Sequence, residues 1–298
     1  MVEAVAVAQA RRRPRRGARR LADAAATRAL AAAGLAPSDI DLLVNAGLYH
    51  DRNMGEPALA ALIQEDIGAN PEDPHPGGHG TFSFDVANGS CGMLTGMQIA
   101  DGFLRSGTIR HALVVASDAD PGRRMAPGFP FAAAASAVVC GWSDGPAGIA
   151  GFRFAPPAGT PGDGDAAGDV PEGLRATVAF GGGRNRLTIR EAAGFDAAAG
   201  ALAGEVAAAL LADAGAAASD LDLVVANPLT SGFLDALAAT LGVAPDRLSR
   251  PRSGRRVHTA GLGVALAAAA PGGHLSGRTA VLVSGGAGPT AGAALVLP

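Results

Sequence analysis

Apolar runs and polar breaks follow one another along this chain in a steady order. Val2 to Ala8 reads as a strand. Gly17 to Ala33 reads as a helix, with Leu21, Ala25, Arg28, Ala29 and Ala32 near a 3.6-residue period and Gly34 as its cap. Asp41–Asn45 is a buried strand, Glu56–Ile67 a helix closed by Gly68, and Asn70–Gly80 a Pro-, Gly- and His-rich loop. Phe82–Val86 reads as a strand, Cys91–Leu104 as a largely apolar helix, and Ala112–Ala116 and Ala132–Trp142 as strands. The remainder predicts helices over Ala198–Ala214, Phe233–Leu241 and Thr259–Ala270, with strands over Leu221–Ala226, Thr279–Ser284 and Ala291–Leu297.

One stretch occurs twice. Gly34-Leu35-Ala36-Pro37-Ser38-Asp39-Ile40-Asp41-Leu42-Leu43-Val44 returns as Gly215-Ala216-Ala217-Ala218-Ser219-Asp220-Leu221-Asp222-Leu223-Val224-Val225. Each copy follows an Ala-rich helix and runs into an apolar strand, so the chain divides into two like halves. Continuous apolar strands alternating with helices predict sheets covered on both faces. A helix as apolar as Cys91–Leu104 belongs between layers. Residues 1–154 form the first half and 191–298 the second, joined by 155–190, which has Pro-Pro, repeated Gly-Asp and no periodicity, and so reads as an irregular connector.

Composition narrows the chemistry. Hydrophobic residues make up 48% of the 298 positions, which is ample for a large core, and the net charge is −3. All 24 basic residues are Arg, which excludes lysine Schiff bases and a P-loop lysine. Two cysteines suit a reducing compartment, the start lacks a secretory pattern, and no apolar run reaches the ~18 residues of a membrane span. A cytoplasmic protein without membrane contact is expected. His75 and His79 lack metal-ligand spacing, so no metal site is expected.

Phe84-Asp85-Val86-Ala87-Asn88-Gly89-Ser90-Cys91-Gly92, then Ile99 to Gly107 and Ala112 to Asp118, resembles the nucleophile segment of β-ketoacyl-acyl carrier protein synthase III, of the thiolase superfamily. The terminal stretch Gly285 to Val296 is similar to that family's Gly-rich loop and last strand. The resemblance implies a thiolase fold, two pseudo-duplicated α/β halves in five layers, α-β-α-β-α. It implies acyl transfer from a coenzyme A or carrier-protein thioester, through an acyl-cysteine, to a carbon, oxygen or nitrogen acceptor, in specialised, polyketide-type metabolism. No tightly bound cofactor and a homodimer pairing through Ala112–Ala116 are also implied. A non-catalytic partner subunit of a heteromeric synthase is the alternative.

The site residues follow. Cys91 at a helix start has the dipole and unpaired N–H groups that stabilise a thiolate, and it is the expected nucleophile. Aligned without gaps, however, the family's cysteine falls on Ser90. Neighbours at a helix start point about 100° apart, so only one of the two faces substrate. Where ketosynthases carry His, after Leu223–Ala226, this chain has Asn227. Where they carry Asn, before the last buried helix, it has His258. His258 is the expected base and Asn227 an oxyanion donor, joined by the backbone N–H groups of Cys91 and Gly286. The exchange makes decarboxylative condensation less expected than transfer to a hydroxyl or amine. Arg12, Arg13 and Arg16, with Arg255 and Arg256, admit three readings: a solvated charge run, docking of an acidic carrier protein or phosphopantetheine phosphate, and nucleic acid, the last disfavoured by the net acidic chain.

Overall fold

The computed structural model describes residues 1–10, 17–53, 55–70, 80–122, 124–155, 174–181, 184–227, 230–249, 256–270, 275, 277–286 and 290–298. The first half gives β1 (Val2–Gln9), α1 (Ala18–Ala33), β2 (Leu42–Asn45), α2 (Leu59–Ile67), β3 (Phe82–Asp85), α3 (Gly92–Arg105), β4 (His111–Asp118) and β5 (Ala134–Gly141). There follow β6 (Gly148–Ala155), β7 (Leu174–Gly181), β8 (Arg184–Glu191), α4 (Phe195–Asp213), β9 (Leu223–Ala226), α5 (Ser231–Leu241), α6 (Gly261–Ala269), β10 (Ala280–Gly286) and β11 (Thr290–Leu297).

Two sheets carry the fold. One has the order β1-β5-β4-β2-β3 and the other β6-β11-β10-β9. Three apolar clusters define the layers between and around them. Leu21, Ala25 and Leu30 of α1 and Ile63 of α2 pack with Leu43, Leu113 and Val139 on the outer face of the first sheet. Val44, Val114 and Val138 face inward with Met93 and Met97 of α3, Leu262 and Leu266 of α6, and Leu282 of β10. On the far side, Val281, Val283 and Leu295 pack with Ala203 and Leu210 of α4 and Phe233 and Leu237 of α5. The result is α-β-α-β-α, with α3 and α6 sandwiched. Each strand shows residues to opposite faces in turn, so an all-apolar strand needs cover on both.

The duplicated stretch folds identically in both copies. Gly34 and Gly215 sit at φ 71° and 68°, left-handed values that glycine adopts without a Cβ penalty. A short 3-10 turn then follows, in which Asp39 accepts from the Ala36 N–H at 2.7 Å and Asp220 from the Ala217 N–H at 2.8 Å. The next aspartates tie the strands to their parallel neighbours: Asp41 accepts from the Arg110 N–H and Asp222 from the Thr279 N–H.

Four expectations change. The 155–190 segment is not wholly irregular: β7 and β8 form an antiparallel hairpin within it, while 156–173 lie outside the described residues. β6 joins the second sheet by pairing with β11. β4 lies between β5 and β2 with both edges filled, so it offers no edge for pairing with another chain; β1 and β3 are the edge strands, and on β3 Phe82 is 59% exposed. Finally, α4 does reach membrane-span length and apolarity, because its many Ala residues and its Leu and Val raise the hydropathy while charges are few. Half of it is buried, in the same cluster as α5 and β11, which is the situation of a core helix.

Candidate active site

The first turns of the two sandwiched helices lie against the ends of β2 and β9. The chain enters α3 through a 3-10 turn, Gly89–Cys91, with Gly89 at φ 49°. It enters α6 through Val257–Ala260, in which the His258 carbonyl accepts from the Gly261 N–H at 3.0 Å. Glycine opens each helix because a strand end lies against it. A Cβ on Gly92 would stand 3.1 Å from the Ala46 Cβ, and one on Gly261 would stand 1.8 Å from Asn227 Oδ1.

Cys91 is fully buried. Its thiol donates to the Ser284 carbonyl at 3.5 Å and accepts from the Gly292 N–H, the two residues being register partners on β10 and β11. Burial pushes the thiol up to about 12, only partly offset by the Gly292 N–H. The helix start was expected to lower it. Desolvation wins because water is excluded from the sulfur, and removing water penalises the charged form. One side of Cys91 lines a cavity of about 550 Å³ with Asn88, Thr95, Gln98, Phe154, Ala155, Thr290 and Ala291. Ser90, 2% exposed, is not among its described lining residues, and neither are His258 and Asn227.

His258 is 1% exposed and held on both faces. Phe131 stacks on it with centroids 4.5 Å apart, and Tyr49 lies tilted at 5.2 Å. Its Nδ1 is 3.6 Å from Asp118 Oδ2, beyond hydrogen-bond reach. Asp118 was not singled out by the sequence; it ends β4 and is 1% exposed. Its Oδ1 accepts from the N–H groups of Leu48 and Tyr49 at 3.2 and 2.9 Å, and its Oδ2 from the N–H and hydroxyl of Thr259 at 2.8 and 2.6 Å. Burial alone would raise this carboxyl, but facing His258 and accepting from Thr259 and Tyr49 hold it below the usual range. Tyr49 is pushed far up, by burial first and by Asp118 second.

Asn227 follows β9. Its Nδ2 donates to the His258 carbonyl at 3.0 Å, and its Oδ1 has no partner among the described residues. The Cys91 N–H closes the turn on the Asn88 carbonyl at 3.0 Å. Two expected oxyanion donors are therefore engaged elsewhere in this state. Gly286 ends β10 beside the sulfur: a Cβ there would lie 3.2 Å from Cys91 Sγ. Arg256 is turned inward, donating to Glu191 at 2.7 Å and lying over the Phe131 ring at 5.6 Å, so its charge is compensated within the chain. Arg12, Arg13, Arg16 and Arg255 lie outside the described residues, as do His75 and His79. His50, another polar residue at a strand end, contacts the Gly47 carbonyl at 3.0 Å.

Residues 84–155 match the family model of 3-oxoacyl-[acyl-carrier-protein] synthase III. The chain is similar to β-ketoacyl-[acyl-carrier-protein] synthase III of Alkalilimnicola ehrlichii, 37% identical over 98 residues, 33% of this chain. That match spans 27% of the relative's own length, about a quarter. Over its whole length the chain superposes on 3-oxoacyl-[acyl-carrier-protein] synthase III from Aquifex aeolicus, with a TM-score of 0.77, 21% identity and 99% of that chain covered. The priming β-ketosynthase of the R1128 polyketide pathway gives 0.79, 24% identity and 96% coverage. The fold is thus the thiolase fold seen in these two structures. Within it, residues 84–155 are similar in sequence to β-ketoacyl-acyl carrier protein synthase III.

Proposed function

We propose that this protein is an acyltransferase: an acyl group from a coenzyme A or carrier-protein thioester is loaded on the turn before α3 and passed to a carbon, oxygen or nitrogen acceptor in polyketide-type metabolism. What supports this reading most is one set of atoms. Asn227 Oδ1 and Ser284 Oγ are buried without partners among the described residues; the Asn227 N–H donates to the Val283 carbonyl, and the carbonyl of the next residue, Ser284, accepts from the Cys91 thiol. Each orphaned polar atom costs about 1–3 kcal/mol. Two so close to the sulfur are what a place filled by substrate or water leaves behind.

Cys91 is the nucleophile in this reading, being the member of the 90–91 pair that lines the cavity. With its thiol at about 12, the proton leaves during attack rather than before it, so a base must receive it. His258 is that base, and the imidazolium then returns the proton to the departing thiol of the donor. Gly286 N–H is the oxyanion donor next to the sulfur, and Asn227 joins it by exchanging its bond to the His258 carbonyl. Arg12, Arg13, Arg16 and Arg255 serve carrier or phosphate docking, Arg256 being paired with Glu191; the protein is cytoplasmic, and a homodimer forms at the β3 edge.

A second reading, a non-catalytic partner subunit, draws on the same burial of the thiol and the same engaged donors. Incubating the purified chain with acetyl-, butyryl- and hexanoyl-coenzyme A, with and without hydroxyl and amine acceptors, separates the two. Acceptor-stimulated release of coenzyme A, abolished in Cys91→Ala, is the expected result. No release by the chain alone, with release restored by a co-expressed homologue, is the outcome for the partner subunit.

A further inference from the structure

The base is not an isolated imidazole. Asp118 is a buried carboxylate gripped by four donors, two on each oxygen, so it neither rotates nor withdraws. Its Oδ2 stands 3.6 Å from His258 Nδ1, an edge of the ring otherwise without a partner among the described residues. The ring itself is fixed by Phe131 and Tyr49, and its backbone by the bonds its carbonyl accepts from Asn227 and Gly261. An imidazole locked in this way offers the carboxylate either an N–H or a lone pair. A lone pair beside a fixed negative charge is repelled and an N–H is attracted, all the more at low dielectric.

The geometry points to Asp118 as a positioning residue that holds His258 in the Nδ1–H tautomer, leaving Nε2 with the lone pair that takes the proton in acyl transfer. This rests on His258 being the base of the reading above. The proton balance closes: Nε2 accepts the nucleophile's proton as the new acyl bond forms, Asp118 stabilises the imidazolium without taking the proton, and the leaving thiol receives it. The relation resembles that of carboxylate, imidazole and nucleophile in hydrolases, in which the carboxylate orients and charge-stabilises the ring. It requires a His at the entry to α6 and an Asp at the end of β4, which stand together only because α6 lies against the first sheet.

Histidine-selective ¹⁵N labelling of the full chain tests this directly. Long-range ¹H–¹⁵N correlation spectra of the wild type should show His258 protonated on Nδ1, and Asp118→Asn should move the proton to Nε2. With any acyl-coenzyme A the wild type turns over, Asp118→Asn should lower kcat by roughly 10²–10⁴-fold with KM unchanged. Thr259→Val, which removes one bond to Asp118 but keeps the carboxylate, should retain the wild-type tautomer. An Nε2–H tautomer in the wild type overturns the proposal, and so does a variant Asp118→Asn that folds, keeps Nδ1–H and loses only stability. If Asp118→Asn fails to fold, the wild-type spectrum alone decides. The tautomer is read without turnover, so a protein that fails to transfer acyl groups but shows Nδ1–H refutes the functional reading and not this one.

Discussion

The two halves of this molecule build the same corner and then use it differently. In the first, Gly92 opens α3 against Ala46; in the second, Gly261 opens α6 against Asn227. The strand residues are equivalent: the Ala46 N–H donates to Val115 O at 2.7 Å, and the Asn227 N–H to Val283 O at 2.9 Å. The N–H of the opening glycine bonds back three residues in each case, to Gly89 and to His258. By this equivalence Ser90 matches Thr259 and Cys91 matches Ala260. One corner carries a small apolar support and a thiol; the other carries an amide, a hydroxyl and an imidazole. In the proposed reading, the duplicated scaffold assigns the attacking group to one corner and the proton-handling group to the other.

The largest effect on this contrast should come from adding a methyl group to each helix start. Gly261→Ala places a Cβ 1.8 Å from Asn227 Oδ1. It should cost roughly 1–3 kcal/mol by overpacking and displace the amide from the His258 carbonyl. Gly92→Ala meets Ala46 at a milder 3.1 Å, and the helix propensity gained, about 0.5–1 kcal/mol, offsets much of the clash. Urea unfolding of the two variants measures the difference, and equal losses would contradict the asymmetry. Next in size, Asn227→Ala removes one of the two bonds that the buried His258 carbonyl accepts, the Gly261 N–H keeping the other, and should cost about 0.5–1.5 kcal/mol in the same assay.

A third difference lies at the sheet edges. The first sheet carries β3 beyond β2, whereas β9, the partner of β2 by sequence, is itself the edge of the second. Phe82 on β3 is 59% exposed and lies tilted against Phe84 with centroids 5.2 Å apart. An exposed apolar edge strand invites pairing. Phe82→Glu should therefore turn a dimer into a monomer in light scattering; a mass unchanged by the substitution rejects this edge as the interface.

The smallest effect concerns the two buried thiols. Cys91 between the halves and Cys140 inside the first sheet are both raised by burial to about 12 from an ordinary 9.0. An acid whose folded pKa is raised stays protonated in the native state while the unfolded chain ionises. Stability should then be intact below pH 9 and fall as pH climbs from 9 toward 12. Cys140→Ala should shallow that fall, as followed by denaturation at pH 8 and pH 10.5.

The fold was largely legible because its strands are continuous apolar runs and its helices end at left-handed glycines such as Gly34, Gly68 and Gly242. β7 and β8 were not, because Phe180 and Val178 lie exposed at 83% and 47% on a hairpin outside both main sheets, which blurs the two-residue period. At the site, Cys91, Asn227 and His258 are readable as residue types at helix starts and strand ends. Asp118 is not, since its partner lies about 140 positions away and the two meet only through the stacking of α6 on the first sheet. The state of the Cys91 thiol was misjudged for a related reason. A helix dipole is local and visible in sequence, whereas desolvation depends on β10 and β11, which close over the sulfur from the other half.

Intact-protein mass spectrometry after exposure to an acyl-coenzyme A panel, followed by peptide mapping, bears most directly on acyl loading before α3. The account predicts a gain of one acyl mass on the 90–91 turn that vanishes in Cys91→Ala. No gain with any donor, or an adduct that survives Ser90→Ala/Cys91→Ala, would contradict it.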